Sequence, residues 1–431
     1  MLRFLALVLA FTPLVDDAKA QPMDQTETAP SASTALERRA QDVLAVLNGE
    51  ADGEEVFAPV FLDAVPMKQV DLIARQFTDQ FGRALEVIEL NPSEGSVSVV
   101  TIRMERAVGQ VNLSVEGTGD NRINGLQLLE FTPTNDTVKS ITADLEALDG
   151  EVSAYFGKLD GSAPVLSLNA EAHMPLGSAM KLYVLGALGE EIAQGKRAWS
   201  DVIALDQKSF PSGQLQNWPE GSPVTLQTLA SLMISISDNT ATDQLIRLLG
   251  RDRVAAFMQS TRHSAPERNT PWMTTRELFL IKGGPADQLS AYAQGNPAER
   301  EAILARLEEK PATLDAINAK LAAGPVAIDS VEWFANAGDL AGLFTHMRQT
   351  NDTEVFRIMA INPALSPNVT NSWSYVGFKG GSETGVLNMT WLLADEQGRE
   401  RMLTLSWANE QKPVETQTLL LIAQRILSLE Q

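Results

Sequence analysis

Two short strand-like stretches, residues 151–156 and 164–169, stand far upstream of three more, 374–380, 386–394 and 401–407. Nearly everything between them has helical spacing. A strand must pair its backbone N–H and C=O groups, so segments this far apart are expected to meet in one sheet. The fold class predicted for residues 141–431 is therefore α+β: an antiparallel sheet assembled from both ends, with a helical lobe inserted. An active site would lie at the seam. Helices are expected over 141–148, 225–236 (Leu226, Leu229, Leu232, Met233), 240–249, 298–309, 312–321 and 414–429.

Residues with chemistry fall on that frame at three places. Ser178 and Lys181 lie three apart just before the apolar run Leu182 to Leu185, so a helix beginning there puts both side chains on one face. A serine hydroxyl attacks poorly unless something takes its proton, and a desolvated lysine amine can take it. A backbone N–H near a helix N-terminus also suits a developing oxyanion. By itself the pair is a weak signal, and a helix cap with a solvated lysine is its commoner meaning. Ser237-Asp238-Asn239 interrupts two helical patterns, and Asn239 or Thr240 can cap the second of them. Lys379-Gly380-Gly381 sits on a late strand.

S-x-x-K, then S-D-N, then K-x-G, in this order, resembles the signature of the serine β-lactamase and penicillin-binding-protein family, with a class A β-lactamase-like catalytic domain over residues 141–431. The resemblance implies Ser178 as acyl-accepting nucleophile, Lys181 as its base or the relay to it, Ser237 as proton shuttle to the leaving group, and Lys379 as a positive charge facing the substrate carboxylate and helping keep Lys181 neutral. It implies Asn239, Gly380, Gly381 and Ser382 at the substrate, with the N–H groups of Ser178 and Ser382 as the oxyanion hole. Two departures stand out. Gly380 replaces the hydroxyl residue of K-T-G, which removes a hydrogen bond to a substrate carboxylate unless Ser382 or Thr384 supplies it. The omega-loop glutamate that activates the deacylating water has no counterpart: residues 259–266 contain no acid, and Glu267 matches a position beyond the loop. Trp272, Trp333, Trp373, Tyr375 and Phe378 read as core before substrate platform, with a substrate contact left open only for Trp373 and Tyr375, which precede Lys379 on the same segment.

The upstream part has its own pattern. Leu36, Ala40, Val43, Leu44 and Leu47 define a helix ending at Asn48-Gly49, and Val70, Ile73, Ala74, Phe77 and Phe81 define a second over 67–81. Period-two segments follow at 84–90, 96–104, 110–116 and 122–130. Residues 34–131 thus predict a small α+β, cone-like domain, which resembles the steroid-isomerase-like (nuclear transport factor 2-like) domains in architecture. No acid and tyrosine arrangement for isomerase chemistry is present. Residues 132–140 read as a linker. The combination of the two domains resembles the hydrolase type encoded in clavulanic acid clusters.

Residues 1–20 have the form of a secretory signal, with Arg3, an apolar stretch and Ala18-Lys19-Ala20, and 21–33 the composition of a disordered leader. These imply a periplasmic or secreted protein without a membrane anchor. There is no cysteine among the 431 residues, which excludes disulfides, thiolate metal sites and a cysteine nucleophile. His173, His263 and His346 show no metal-ligand spacing, so neither metal nor cofactor is expected. A net charge of −21 leaves no electrostatic case for nucleic acid. The expected function is serine hydrolysis of a small-molecule ester or, weakly, a β-lactam. The alternatives are a peptidoglycan D-alanyl carboxypeptidase and a non-catalytic module binding cell wall or a partner.

Overall fold

The computed structural model describes residues 32–92, 96–134, 136–307, 314–349 and 353–429. The segments read as signal and leader, 1–20 and 21–33, lie outside it except for the first residues of the opening helix. The chain forms two compact units that divide between Thr137 and Val138.

In the first unit, helix Ala32–Leu47 buries Leu36, Ala40, Val43 and Leu47, and helix Met67–Phe81 buries Val70, Ala74, Phe77 and Phe81. The first helix stops at Asn48, whose side-chain amide exchanges two hydrogen bonds with the backbone of Ala84, at 2.8 and 2.9 Å. That anchors the first strand of an antiparallel sheet ordered β1 (Ala84–Pro92), β2 (Val97–Met104), β3 (Ala107–Val115) and β4 (Ile123–Pro133). β3 alternates strictly, burying Val111, Leu113 and Val115. Phe77 packs edge-on against Phe131 with ring centroids 4.7 Å apart. Two short helices, Gly53–Val56 and Pro59–Ala64, carry too few residues for a sequence period to reveal them.

The second unit opens with helix Val138–Glu146, which begins three residues before the expected position. Its sheet, among the described residues, contains β5 (Glu151–Gly157), β6 (Leu166–Leu168), β7 (Tyr375–Glu383), β8 (Val386–Ala394) and β9 (Glu400–Ala408), in the spatial order β7-β8-β9-β5-β6. All pairs are antiparallel, and β9 joins β5 across the chain ends through pairs such as Ser406 with Ser153. β8 is buried along its whole length, so it reads as a continuous apolar run interrupted only by Asn388 and Thr390. Their side chains satisfy each other and those of Ser406 and Thr404.

Helix Lys181–Ala193 is the centre of the helical lobe. Leu182, Tyr183, Val184, Leu185, Ala187 and Leu188 are all fully buried, and each large apolar side chain contributes about 1.5–3 kcal/mol to folding. A helix apolar on every side belongs in a core. Phe257 lies so close to Gly186 that a Cβ there would collide with its ring. Helices Leu226–Ser235, Asn239–Leu249, Arg251–Ser260 and Thr275–Gly283 surround it. The material after Gly283 holds helices Ala286–Gln294, Pro297–Leu307 and Leu314–Leu321; the first was not anticipated. Among the described residues no helix is long and apolar enough to cross a membrane.

Candidate active site

Ser178 does not lie on an α-helix. Residues Gly177–Met180 form a 3₁₀ turn, and the α-helix starts at Lys181. Gly177 makes this possible: its φ is +50°, and its open side faces the backbone N–H of Ser382. Gly381 meets the same turn from β7, where a Cβ would run into Leu176 O and the N–H groups of Ser178 and Ala179. The N–H groups of Ser178 and Ser382 therefore come together where the strand crosses the turn.

Lys181 is fully buried, and its ammonium has three acceptors: Ser237 O at 2.7 Å, Ser237 Oγ at 3.1 Å and Asn239 Oδ1 at 2.7 Å. None of these belongs to Ser178, so the direct pairing suggested by their spacing is absent in this resting arrangement. Burial pushes the Lys181 amine down to about 7, against the pull of Asp243 and Asp238. Lys379 donates to the same Ser237 Oγ at 3.1 Å and to Gly380 O. Burial, and then the neighbouring charge of Lys181, push its amine well below the usual lysine range. Ser237 Oγ thus stands between two amines.

Ser237 has φ +58°, the left-handed region that a serine adopts only under constraint. The residues around it are held on both sides: Ser237 O accepts from Lys181 and from Ser212, and Asp238 follows. Its buried carboxylate accepts from Ala241 N at 2.8 Å, capping helix Asn239–Leu249, and from Gln214 N and Leu215 N at 2.7 and 2.9 Å. Neither Asn239 nor Thr240 is the cap. Asn239 Oδ1 is turned to Lys181, which leaves its amide N–H₂ as the group available to a substrate.

Gly380 has Phe378 on its open side, close enough that a side chain there would press on the ring. Thr384 cannot replace the lost hydroxyl, because its Oγ1 donates to Leu321 O at 3.2 Å. Ser382 remains. Tyr375 is core rather than substrate platform: its hydroxyl donates to Phe356 O at 2.9 Å.

The structure also gathers residues that nothing in their local sequence connects. His173 and His263 approach Asp339 Oδ2 at 3.4 and 3.6 Å, and Ser264 is held by His173 Nε2 and by Asp339 Oδ1, which accepts from its backbone N–H. Lys282, at the end of helix Thr275–Gly283, meets Glu332 and Glu383. Only Glu383, two residues after the third motif, could have drawn notice. Among the described residues no group of three His, Asp or Glu side chains could hold a metal ion.

Comparison with known proteins bears on the same unit. Residues 136–310, which include Ser178 and Ser237 and end before Lys379, match the model of the beta-lactamase enzyme family. The matched segment lies almost wholly within the second unit. The β-lactamase-like fold of this unit is the antiparallel sheet with inserted helices described above. Solved structures similar to the chain include a beta-lactamase from Sphaerobacter thermophilus DSM 20745, at 21% identity over 68% of this chain and 94% of that one, with a TM-score of 0.46. PBP-A matches at 16% identity over 68% and 94%, TM-score 0.46, and a beta-lactamase from Francisella tularensis at 12% over 67% and 95%, TM-score 0.46. No curated protein gave a significant match.

Proposed function

We propose that the β-lactamase-like domain is a serine hydrolase acting through an acyl-enzyme on Ser178. The observation that carries this reading is Ser237 Oγ held at 3.1 Å from both the Lys181 and the Lys379 amines, on a backbone strained to put it there. In the neutral form Lys181 has a lone pair, and an amine titrating near 7 can take the Ser178 proton without having to be driven far from its resting state. As Ser178 Oγ bonds to the substrate carbonyl carbon, the N–H groups of Ser178 and Ser382 receive the developing oxyanion. Ser237 then hands a proton to the leaving group and is resupplied from the amines on either side. Asn239 and the Gly380–Ser382 backbone position the substrate.

A small ester fits this site better than a peptide ending in a carboxylate, since Gly380 lacks the hydroxyl and Phe378 closes the space beside it. β-Lactams are expected to acylate Ser178 with low turnover. The leader sequence supports export to the periplasm or beyond. We read the first unit as a steroid-isomerase-like cone serving a non-catalytic role, in a protein of the type found in clavulanic acid clusters.

The test compares the mature protein and Ser178→Ala against a chromogenic ester, a chromogenic cephalosporin and a fluorescent penicillin. Serine-dependent ester turnover supports the reading. A penicilloyl adduct with no turnover of any of the three would favour a penicillin-binding enzyme, and no reaction would favour a binding module.

A further inference from the structure

Successive side chains of a strand alternate, so Lys379, Gly381 and Glu383 of β7 share one face. Lys379 reaches Ser237 Oγ, and Gly381 lies over the N–H of Ser178. Glu383 comes next, about 7 Å further along the strand at 3.3–3.4 Å per residue. Glu383 thus follows Lys379 and Gly381 on the strand face that meets the nucleophile turn.

That carboxylate is held firmly. Lys282 Nζ donates to Glu383 Oε1, and also to Glu332 Oε1 at 3.0 Å. Glu332 Oε2 accepts from Trp333 N at 3.2 Å, and Trp333 O accepts from Leu176 N at 2.8 Å, two residues before Ser178. Both acids are thus tied to the segments that frame the nucleophile turn. The side chains of Lys282 and Glu332 are wholly buried, whereas that of Glu383 keeps 15% of its surface open. One lysine faces two acids, so the trio carries either one spare proton or one uncompensated negative charge. A structural ion pair needs only one acid.

The acyl-enzyme reading leaves a gap, since residues 259–266 contain no acid to activate the deacylating water. Resting on that reading, we propose that Glu383 is the general base of deacylation, with Lys282 and Glu332 as positioning residues. The Glu383 carboxylate removes a proton from water as the water oxygen bonds to the acyl carbonyl carbon. The tetrahedral adduct collapses by breaking the bond from that carbon to Ser178 Oγ. Glu383 returns the proton to Oγ, which restores the serine, frees the acid product and leaves Glu383 ionised again. Its basicity suits this role, because burial, with Glu332 adding to it and Lys282 opposing, pushes the Glu383 carboxyl up to about 8.

The experiment follows p-nitrophenyl acetate hydrolysis by stopped flow, with intact-mass analysis of quenched samples, for the full mature protein and its Glu383→Gln variant. In Glu383→Gln the release of the first equivalent of nitrophenol is expected to stay within about threefold of the parent. Later turnovers should slow by about a hundredfold or more, as loss of a general base implies, while an acetyl group accumulates on Ser178. Equal slowing of both phases, or an unchanged second phase, overturns the assignment. The unsubstituted protein gives an independent check that needs no folded variant: deacylation should rise with pH and level off above about 8. A profile flat from pH 6 to 9 also overturns it. Absence of any Ser178 adduct in either protein would instead remove the acyl-enzyme reading, and this assignment with it.

Discussion

At the scale of single residues, the site is a problem in keeping buried amines useful. Lys181 and Lys379 each lose hydration, and each is compensated by oxygen acceptors rather than by a paired carboxylate. Burial favours the neutral amine in both. Acylation should therefore depend on pH in a definite sense: below about 7 Lys181 is protonated and has no lone pair, so the acylation rate should fall as pH drops through that value. Single-turnover acylation measured from pH 5 to 9 checks this, with a limb near 7 expected. Lys181→Met should lower acylation by about 10²–10⁴-fold at every pH and abolish the limb. The four residues implied as catalytic are legible in the sequence because three motifs preserve their local spacing. Glu383 was not, because its partners Lys282 and Glu332 come from separate elements and only folding brings them together.

At the scale of elements, two contacts fix the site. One is Asp238, which caps helix Asn239–Leu249 and at the same time holds the backbone of Gln214 and Leu215. Asp238→Ala should lose the cap, worth about 1 kcal/mol, and leave two loop N–H groups unsatisfied at about 1–3 kcal/mol each. Thermal unfolding should register it, and activity should fall with stability because Ser237 precedes the capped helix. The other is the crossing of β7 over the Gly177–Met180 turn. Gly381→Ala places a methyl group against Leu176 O and Ser178 N, and overpacking of this kind costs about 1–3 kcal/mol. The order of strands and helices followed from hydrophobic period, since β3 and helix Met67–Phe81 each show one clean face. Caps and short turns did not. The choice of Asp238 over Asn239 as cap is made by the Gln214–Leu215 loop, which lies more than twenty residues upstream.

At the scale of the whole molecule, two units each bury an apolar core of their own, one built on β2 and β3 with two helices, the other around helix Lys181–Ala193. Calorimetry is expected to show two transitions, and acylation at Ser178 should raise one while leaving the other in place. The division of chemistry follows the same line, with every residue of the proposed mechanism in the second unit. The most direct test of the central claim is intact-mass analysis of the protein quenched within the first turnover of a chromogenic ester. The account predicts a mass increase of one acyl group, located on the peptide containing Ser178 and absent from Ser178→Ala. Ester turnover that persists in Ser178→Ala, with no adduct on the parent protein, would contradict it.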